Sequence, residues 1–371
     1  MTSSNETESA IDWLEGYRNQ IKEESLMSLV HSILGDMGAA ASGALVLLGD
    51  RLGIYRSLAK SGRLTSKGLA KETGLDERYL REWLSNQAAS GYVEYDPGTE
   101  EFFMKPEQVA VFADPDSPVA MTGGYYALAS TYHDEPKVAK AFQSGNGIPW
   151  GDHHDCLFCG TEKFFRPGYA ANLVGSWIPA LDGVEEKLAN GNAHVADVGC
   201  GYGASTLILA KAFPKTQFVG FDLHEGSLEH ARRHAADQGL NNVRFELATA
   251  KGFPGNGKYD LVTIFDALHD MGDPVGACQH IFETLKPDGS LMLVEPMAGD
   301  KLEDNLNPVG RLYYAFSTMV CTPGSRSQEV GAALGAQAGE ARLRGVAREA
   351  GFPSLQRVAE TPFNLILEAK R

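Results

Sequence analysis

The stretch Val195-Ala196-Asp197-Val198-Gly199-Cys200-Gly201-Tyr202-Gly203-Ala204 decides the fold. An apolar run feeds directly into three glycines spaced two apart, and an amphipathic stretch, Ala204–Phe213, follows. This is the pattern of a strand turning tightly into a helix, with glycines that permit the turn and let a ligand reach the backbone at the helix N-terminus. Outward from it the chain alternates. Strands are predicted at His194–Val198, Gln217–Phe221, Val243–Leu247, Tyr259–Phe265 and Leu291–Val294, with helices at Gly226–Gln238 and Pro274–Leu285 between them. Lys286-Pro287-Asp288-Gly289 reads as the turn into the fifth strand. A helix at Glu340–Ala350, closed by Gly351, precedes two more strands, Ser354–Val358 and Asn364–Ala369. The expectation is a doubly wound α/β domain with its ligand at the carboxyl ends of the strands.

Upstream the pattern is helical. Ile21, Leu26, Leu29, Val30, Ile33 and Leu34 fall near helical spacing, and Ala44–Leu58 reads as an apolar helix interrupted by Asp50-Arg51 and Gly53. Thr65-Ser66 caps a short helix to Thr73, and Asp76 caps a second through Ala89. Tyr92–Tyr95 and Phe102–Met104 read as strands around Asp96-Pro97-Gly98. Helix, turn, helix and ribbon are the plan of a winged helix. Residues 115–190 are rich in aromatics, with helices expected at Thr122–Ala129 and Phe164–Trp177 and a loop over Gly145–Gly160. Four segments result: a helical 1–43, a winged-helix and dimerisation domain 44–114, a linker and substrate lid 115–190, and a ligand-binding domain 191–371.

Composition narrows the function. Lys plus Arg minus Asp plus Glu is 33 − 48 = −15, and the winged-helix region carries balanced charges, so no nucleic-acid partner is expected. The segment Met1–Gly16 is polar and acidic, without the basic and apolar parts of a secretory signal. The longest apolar stretch, about Ala39 to Leu48, is too short to span a bilayer. Five cysteines in no spaced framework suit a reducing compartment. A cytoplasmic protein with no membrane partner is expected.

Two cofactors compete for the glycine loop. Gly199-x-Gly201-x-x-Ala204 satisfies the dinucleotide fingerprint, and Asp222 ends the next strand where a ribose acceptor belongs. Asp197, two residues before the first glycine, tips the balance: an acid there repels a pyrophosphate but tolerates S-adenosylmethionine, whose amino-acid end carries an ammonium. The paired terminal strands also suit a methyltransferase sheet better than a dehydrogenase.

From about Ala44 onward the chain resembles class I S-adenosylmethionine-dependent methyltransferases with an N-terminal winged-helix domain, a bacterial group that includes mycobacterial members of unassigned substrate. Asp197–Gly203, Phe221-Asp222, Leu268-His269-Asp270-Met271-Gly272-Asp273 and Val294-Glu295-Pro296 carry the resemblance. In plan the chain is also similar to plant and animal small-molecule O-methyltransferases. The resemblance implies a seven-stranded Rossmann-like sheet, the last strand antiparallel, beside an α-helical winged-helix domain, and a homodimer built through the helical N-terminal region. It implies a small-molecule methyl acceptor and places Asp197, Gly199, Gly201, Gly203, Asp222, Leu223 and Asp266 on the cofactor. Many relatives carry an acid for the adenine amine where this chain reads Ala248-Thr249-Ala250-Lys251-Gly252-Phe253. Thr249, Ala250, Lys251 and the ring of Phe253 are expected in that place.

The resemblance makes His269 the general base for a hydroxyl acceptor and Glu295 its orienting carboxylate. A second carboxylate is expected from Glu329, two positions beyond the matching Ser327. Asp270 and Asp273 read as helix-capping acids. Tyr126, Tyr132, His133, Trp150, His153, His154, Phe165 and Tyr169 are the candidate substrate contacts. Asp152-His153-His154-Asp155-Cys156-Leu157-Phe158-Cys159 holds a Cys-x-x-Cys spacing, but four ligands in so few residues close no tetrahedron, so no metal is expected. The alternatives to hydroxyl methylation are S-methylation by proximity, a nicotinamide-dependent oxidoreductase, and a ligand-sensing DNA-binding regulator.

Overall fold

The computed structural model describes residues 14–371 and divides into two compact units, one ending at Val109 and one spanning Ala110–Arg371. Most of the segment read for a secretory signal therefore lies outside the described residues.

In the first unit, α1 (Glu23–Arg51) is one continuous helix that crosses the expected boundary at Ala44. Neither Gly35 nor Asp36 breaks it. By length and composition it could cross a membrane, which overturns the estimate made from Ala39–Leu48 alone. Its C-terminal half packs: Gly49 admits the rings of Tyr55 and Trp83, and a Cβ there would lie 2.4 Å from Tyr55. Its N-terminal half leaves Leu26, Leu29, Val30, Ile33, Leu34 and Met37 exposed. Left-handed Gly53 starts α2 (Ile54–Ser61). The Thr65 hydroxyl caps α3 (Ser66–Thr73), and Asp76 caps α4 (Glu77–Ala89) by accepting from Arg78 and Tyr79 N–H. The antiparallel ribbon β1 (Glu94–Asp96) and β2 (Glu101–Phe103) completes the winged helix.

The second unit contains the expected 115–190 segment as well as the sheet. Helix α5 (Pro106–Phe112) leads in, and α6 runs over Thr122–Ser144, well past Ala129, because Tyr126, Ala127, Ser130, Asp134 and Val138 keep one buried face. Helix α7 begins at Cys156, inside the expected loop, reaches Asn172 and passes through a wide π turn at Leu173–Trp177. Gly160 lets α6 and α7 touch backbone to backbone: a Cβ there would lie 2.3 Å from Ala127 N.

After α8 (Val184–Asn190) comes the sheet, formed by β3 (His194–Val198), β4 (Gln217–Asp222), β5 (Val243–Leu247), β6 (Tyr259–Phe265), β7 (Leu285–Pro296), β8 (Gln356–Glu360) and β9 (Asn364–Lys370). Its order is β5-β4-β3-β6-β7-β9-β8; the first five strands are parallel, and β9 lies antiparallel between β7 and β8. β7 begins earlier than expected. Lys286–Gly289 is absorbed as an irregularity where pairing jumps from Tyr259 with Leu285 to Leu261 with Ser290. Helices α9 (Ala204–Ala212), α10 (Glu225–Asp237), α11 (Pro274–Thr284), α12 (Pro308–Phe316), α13 (Thr322–Arg326) and α14 (Glu340–Glu349) complete this unit. Buried Val198, Phe221, Ile264 and Leu293 share one core cluster of the sheet, and Val195, Phe218, Leu261 and Val294 belong to another.

Candidate active site

The loop between β3 and α9 is built by its glycines. Gly199, Gly201 and Gly203 all have positive φ, at 75°, 53° and 79°. Gly199 and Cys200 N–H donate to Phe221 O at 2.8 and 3.1 Å, and Gly201 N–H donates to Asp222 Oδ2 at 2.9 Å. A side chain at Gly201 would enter open space, whereas one at Gly203 would meet the Phe245 ring at 2.7 Å. Gly201 therefore faces open space and Gly203 faces the core.

A cleft of about 620 Å³ opens beside this loop at the carboxyl ends of β3, β4 and β6. Gly199, Gly201, Asp222, Leu223, Thr249, Ala250, Lys251 and Asp266 line it, as expected of cofactor residues. Three others do not. Asp197 is buried beneath the loop, where the hydroxyls of Ser205, Thr206 and Thr263 donate to its carboxylate at 2.8, 2.6 and 2.9 Å. It ties β3 to the start of α9 and to β6. Phe253 packs in the core against Phe221 and His280, and Gly203 stays behind the loop.

Of the expected substrate contacts, Trp150, Phe165 and Tyr169 line the cleft. The early start of α7 adds Phe158, Thr161 and Glu162 on the same helical face. Tyr126 is buried under Lys163, and Tyr132 is exposed. His133 stacks on His154 with ring centroids 4.0 Å apart. His153 is buried and donates from Nδ1 to Asp134 Oδ2 at 3.0 Å, leaving Nε2 without a partner. Cys156 and Cys159 lie in the first turn of α7 rather than in a loop.

The cleft wall is acidic: Glu162, Asp222, Asp266, Asp270, Asp273 and Glu329 line it, with Lys251 as the one lysine. Lys251 is itself engaged, with Nζ 3.0 Å from Asp273 and 2.9 Å from Glu329. The carboxylate of Glu329 thus closes on Lys251 instead of joining His269. Asp273 caps α11, while Asp270 lies in the cleft wall, a position the capping reading missed.

His269 sits behind that wall on the turn Leu268–Asp270. Glu295, at the end of β7, takes the Nδ1–H at 2.7 Å, and its other oxygen accepts from Leu268 N–H at 3.0 Å. Nε2 faces Asp270 Oδ1 at 3.3 Å, at ion-pair distance but without hydrogen-bond geometry. Burial works against the imidazolium, but Glu295 and Asp270 outweigh it and hold this imidazole well above its ordinary value. His269, Asp270 and Cys321 bring their donor atoms within 4.8 Å of one another. Burial pushes Asp197 and Asp222 upward, opposed by the hydroxyl donors on Asp197 and the backbone N–H donors on Asp222.

Residues 189–342 match the methyltransferase domain family, and residues 40–113 match the Rv2258c-like winged HTH domain. The ubiquinone biosynthesis O-methyltransferase of Actinobacillus pleuropneumoniae is 34% identical over 135 residues, which cover 34% of this chain and 54% of that one. The chain thus spans about half the length of the curated relatives it matches. Among solved structures, an O-methyltransferase family protein from Burkholderia thailandensis superposes with TM-score 0.66 at 16% identity, covering 92% of this chain and 98% of its own. Human N-acetylserotonin methyltransferase, solved in complex with S-adenosylmethionine, gives 0.63 at 18% identity over 92% and 97%.

Proposed function

We propose that this chain, which carries a methyltransferase domain behind an Rv2258c-like winged HTH domain, transfers a methyl group from S-adenosylmethionine to a hydroxyl of a small organic acceptor. The observation that carries the reading is an acidic glycine-loop cleft with a carboxylate-backed imidazole, His269, buried directly behind its wall at Asp270. Such a wall repels the pyrophosphate of a dinucleotide and suits a ligand with cationic groups.

The residues present fit the cofactor. The open space in front of Gly201 admits its backbone approach, and Asp222 presents acceptors for ribose hydroxyls. Thr249 and the backbone of Ala250 hold the adenine edge, with Lys251 and Glu329 closing over it. When bound, the cofactor supplies an electrophilic methyl group on a sulfonium. The rest is done by side chains. Trp150, Phe158, Phe165 and Tyr169 give the acceptor an apolar wall and keep water away. Glu295 holds the Nδ1–H of His269 and stabilises the imidazolium formed when Nε2 takes the acceptor's proton.

The chain acts as a homodimer. The exposed apolar residues of α1 recur three and four apart, while Ser25, Ser28, Ser32 and Asp36 lie on the other side. A one-sided stripe suits a second protein surface better than a bilayer, which favours apolar residues all round. The charge balance of α4 speaks against DNA as its partner: Arg78 pairs with Glu82 and Arg81 with Glu77, both at 2.6 Å. Five cysteines in no spaced framework favour a cytoplasmic setting.

The reading is tested by calorimetry with S-adenosylhomocysteine and NAD, followed by a screen of hydroxylated metabolites for transfer of a labelled methyl group. Binding of the former alone, with label recovered on oxygen, is expected. Binding of NAD instead would sink it.

A further inference from the structure

Asp266 directly follows β6 at the wall of the cleft with φ 49°, in the left-handed region that Asp and Asn tolerate better than other side chains. Strain of this kind gathers at ligand sites. Both carboxylate oxygens are held by neutral donors: Tyr169 Oη–H donates to Oδ2 at 2.6 Å, and Asn364 Nδ2–H donates to Oδ1 at 2.8 Å. Tyr169 comes from α7 and Asn364 from β9, so two distant segments fix this one side chain. No ion pair among the described residues involves Asp266. The other ionisable groups around it are Tyr313 on α12, Glu295 on β7, and His269 and Asp270 on the following turn. The only cation among them, His269, is already held between Glu295 and Asp270.

A carboxylate deep in a cleft without a cation of its own is positioned to receive one from a ligand. Which part of the ligand arrives follows from the sheet. Asp222 ends β4 and Asp266 directly follows β6, on opposite sides of β3, roughly two strand spacings or about 10 Å apart. With the ribose at Asp222 and the adenine toward β5, the amino-acid end must lie toward β6. We propose that Asp266 is the counter-ion for the cationic end of S-adenosylmethionine, and that through this charge the cleft distinguishes it from the demethylated product, S-adenosylhomocysteine. The inference rests on the methyltransferase reading above.

The chemistry is a proton balance. Burial pushes the Asp266 carboxyl up to about 7, against the pull of the Tyr169 hydroxyl. Near neutrality the empty cleft therefore holds a mixture of neutral and ionised Asp266. A ligand bearing sulfonium and ammonium favours the ionised form, so its binding releases a proton to solvent. The product has lost the sulfonium charge and favours ionisation less. Affinity for the methyl donor is thus complete above the carboxyl's free pKa and falls as pH drops below it, whereas product affinity depends on pH more weakly.

The test is titration calorimetry of both ligands, in buffers of different ionisation enthalpy from pH 6 to 8.5, on the wild type, Asp266→Asn and Tyr169→Phe. Asn accepts the left-handed backbone and is isosteric. In the wild type, S-adenosylmethionine should release more protons than S-adenosylhomocysteine near pH 7. In Asp266→Asn that difference should vanish, with donor affinity falling about tenfold or more relative to product affinity, the lower end of what an opposite charge does to a carboxyl. Tyr169→Phe should move the proton release to higher pH, having lost a donor to the ionised form. Equal proton release for both ligands in the wild type, or an unchanged affinity ratio in a folded Asp266→Asn, overturns the proposal alone. If neither ligand binds the wild type, the methyltransferase reading falls with it.

Discussion

At His269 the chemistry needs a neutral imidazole, yet the surroundings favour the cation. Only the neutral ring can accept a proton, so turnover should rise with pH through a value above the ordinary histidine figure of 6.5. Replacing His269 by Ala should cost about 10²–10⁴ in turnover and leave cofactor affinity nearly unchanged. Glu295→Gln should lower turnover and move the rising limb to lower pH, because it removes a charge that raises His269. Steady-state rates against pH for the three proteins check this. A loss below about tenfold in His269→Ala points instead to a thiol or thioether acceptor. Asp222→Ala should weaken cofactor binding by about 1.5–3 kcal/mol, the range for hydrogen bonds to a charged group, as calorimetry would read. Asp197 shows the limit of reading acids from a motif. Asp197 precedes the glycine loop and Asp222 ends the next strand, but strand alternation turns Asp197 toward the hydroxyls of Ser205 and Thr206, and only Asp222 reaches the cleft.

Among the elements, the sheet strands were legible because buried parallel strands are short apolar runs bounded by turn residues. Three of the predicted strands coincide with β3, β5 and β6 to the residue. The helices α6 and α7 were legible in place but not in extent, α6 starting at Thr122 as expected yet running on to Ser144 and α7 starting early at Cys156, since their lengths are set by packing on each other. Aromatics, prolines and glycines fill both, and Pro136 and Pro167 lie inside them. Once α7 starts at Cys156, Phe158 and Glu162 join Phe165 and Tyr169 on one face, and Phe158, hidden by a loop reading, completes the acceptor wall. The contact at Gly160 makes this pair fragile. Gly160→Ala should destabilise the protein by about 1–3 kcal/mol, the usual result of overpacking, despite the higher helix propensity of alanine. Urea unfolding measures it, and an unchanged midpoint would mean that the helices separate at little cost.

For the whole molecule, order and class were readable, and the family matches at 40–113 and 189–342 begin close to the expected starts at 44 and 191; the compact-unit break was not readable. A winged helix followed by a seven-stranded sheet follows from local patterns. The break at Val109 and the unbroken run of α1 depend on packing that no local pattern encodes. The apolar stripe of α1 leads to the prediction for assembly. Light scattering should give a dimer mass, and replacing Val30 and Leu34 by Glu should give a folded monomer with unchanged binding of S-adenosylhomocysteine. A monomer mass for the wild type at all concentrations would remove the stripe from any self-association.

The placement of β9 between β7 and β8 sets the time at which the protein can first work. A chain emerging from the ribosome makes its glycine loop early, and β3 to β7 can pair in the order of their synthesis. β8 must then wait for β9, the last strand in sequence, to enter beside β7. Asn364, at the head of β9, is also the group that holds Asp266. At roughly 5–20 residues per second, the loop is exposed for about ten to thirty seconds before the strand that completes its pocket exists. Until β9 emerges, Asp266 lacks its Asn364 donor and the partial sheet presents β7 as an open edge, available for pairing with other chains.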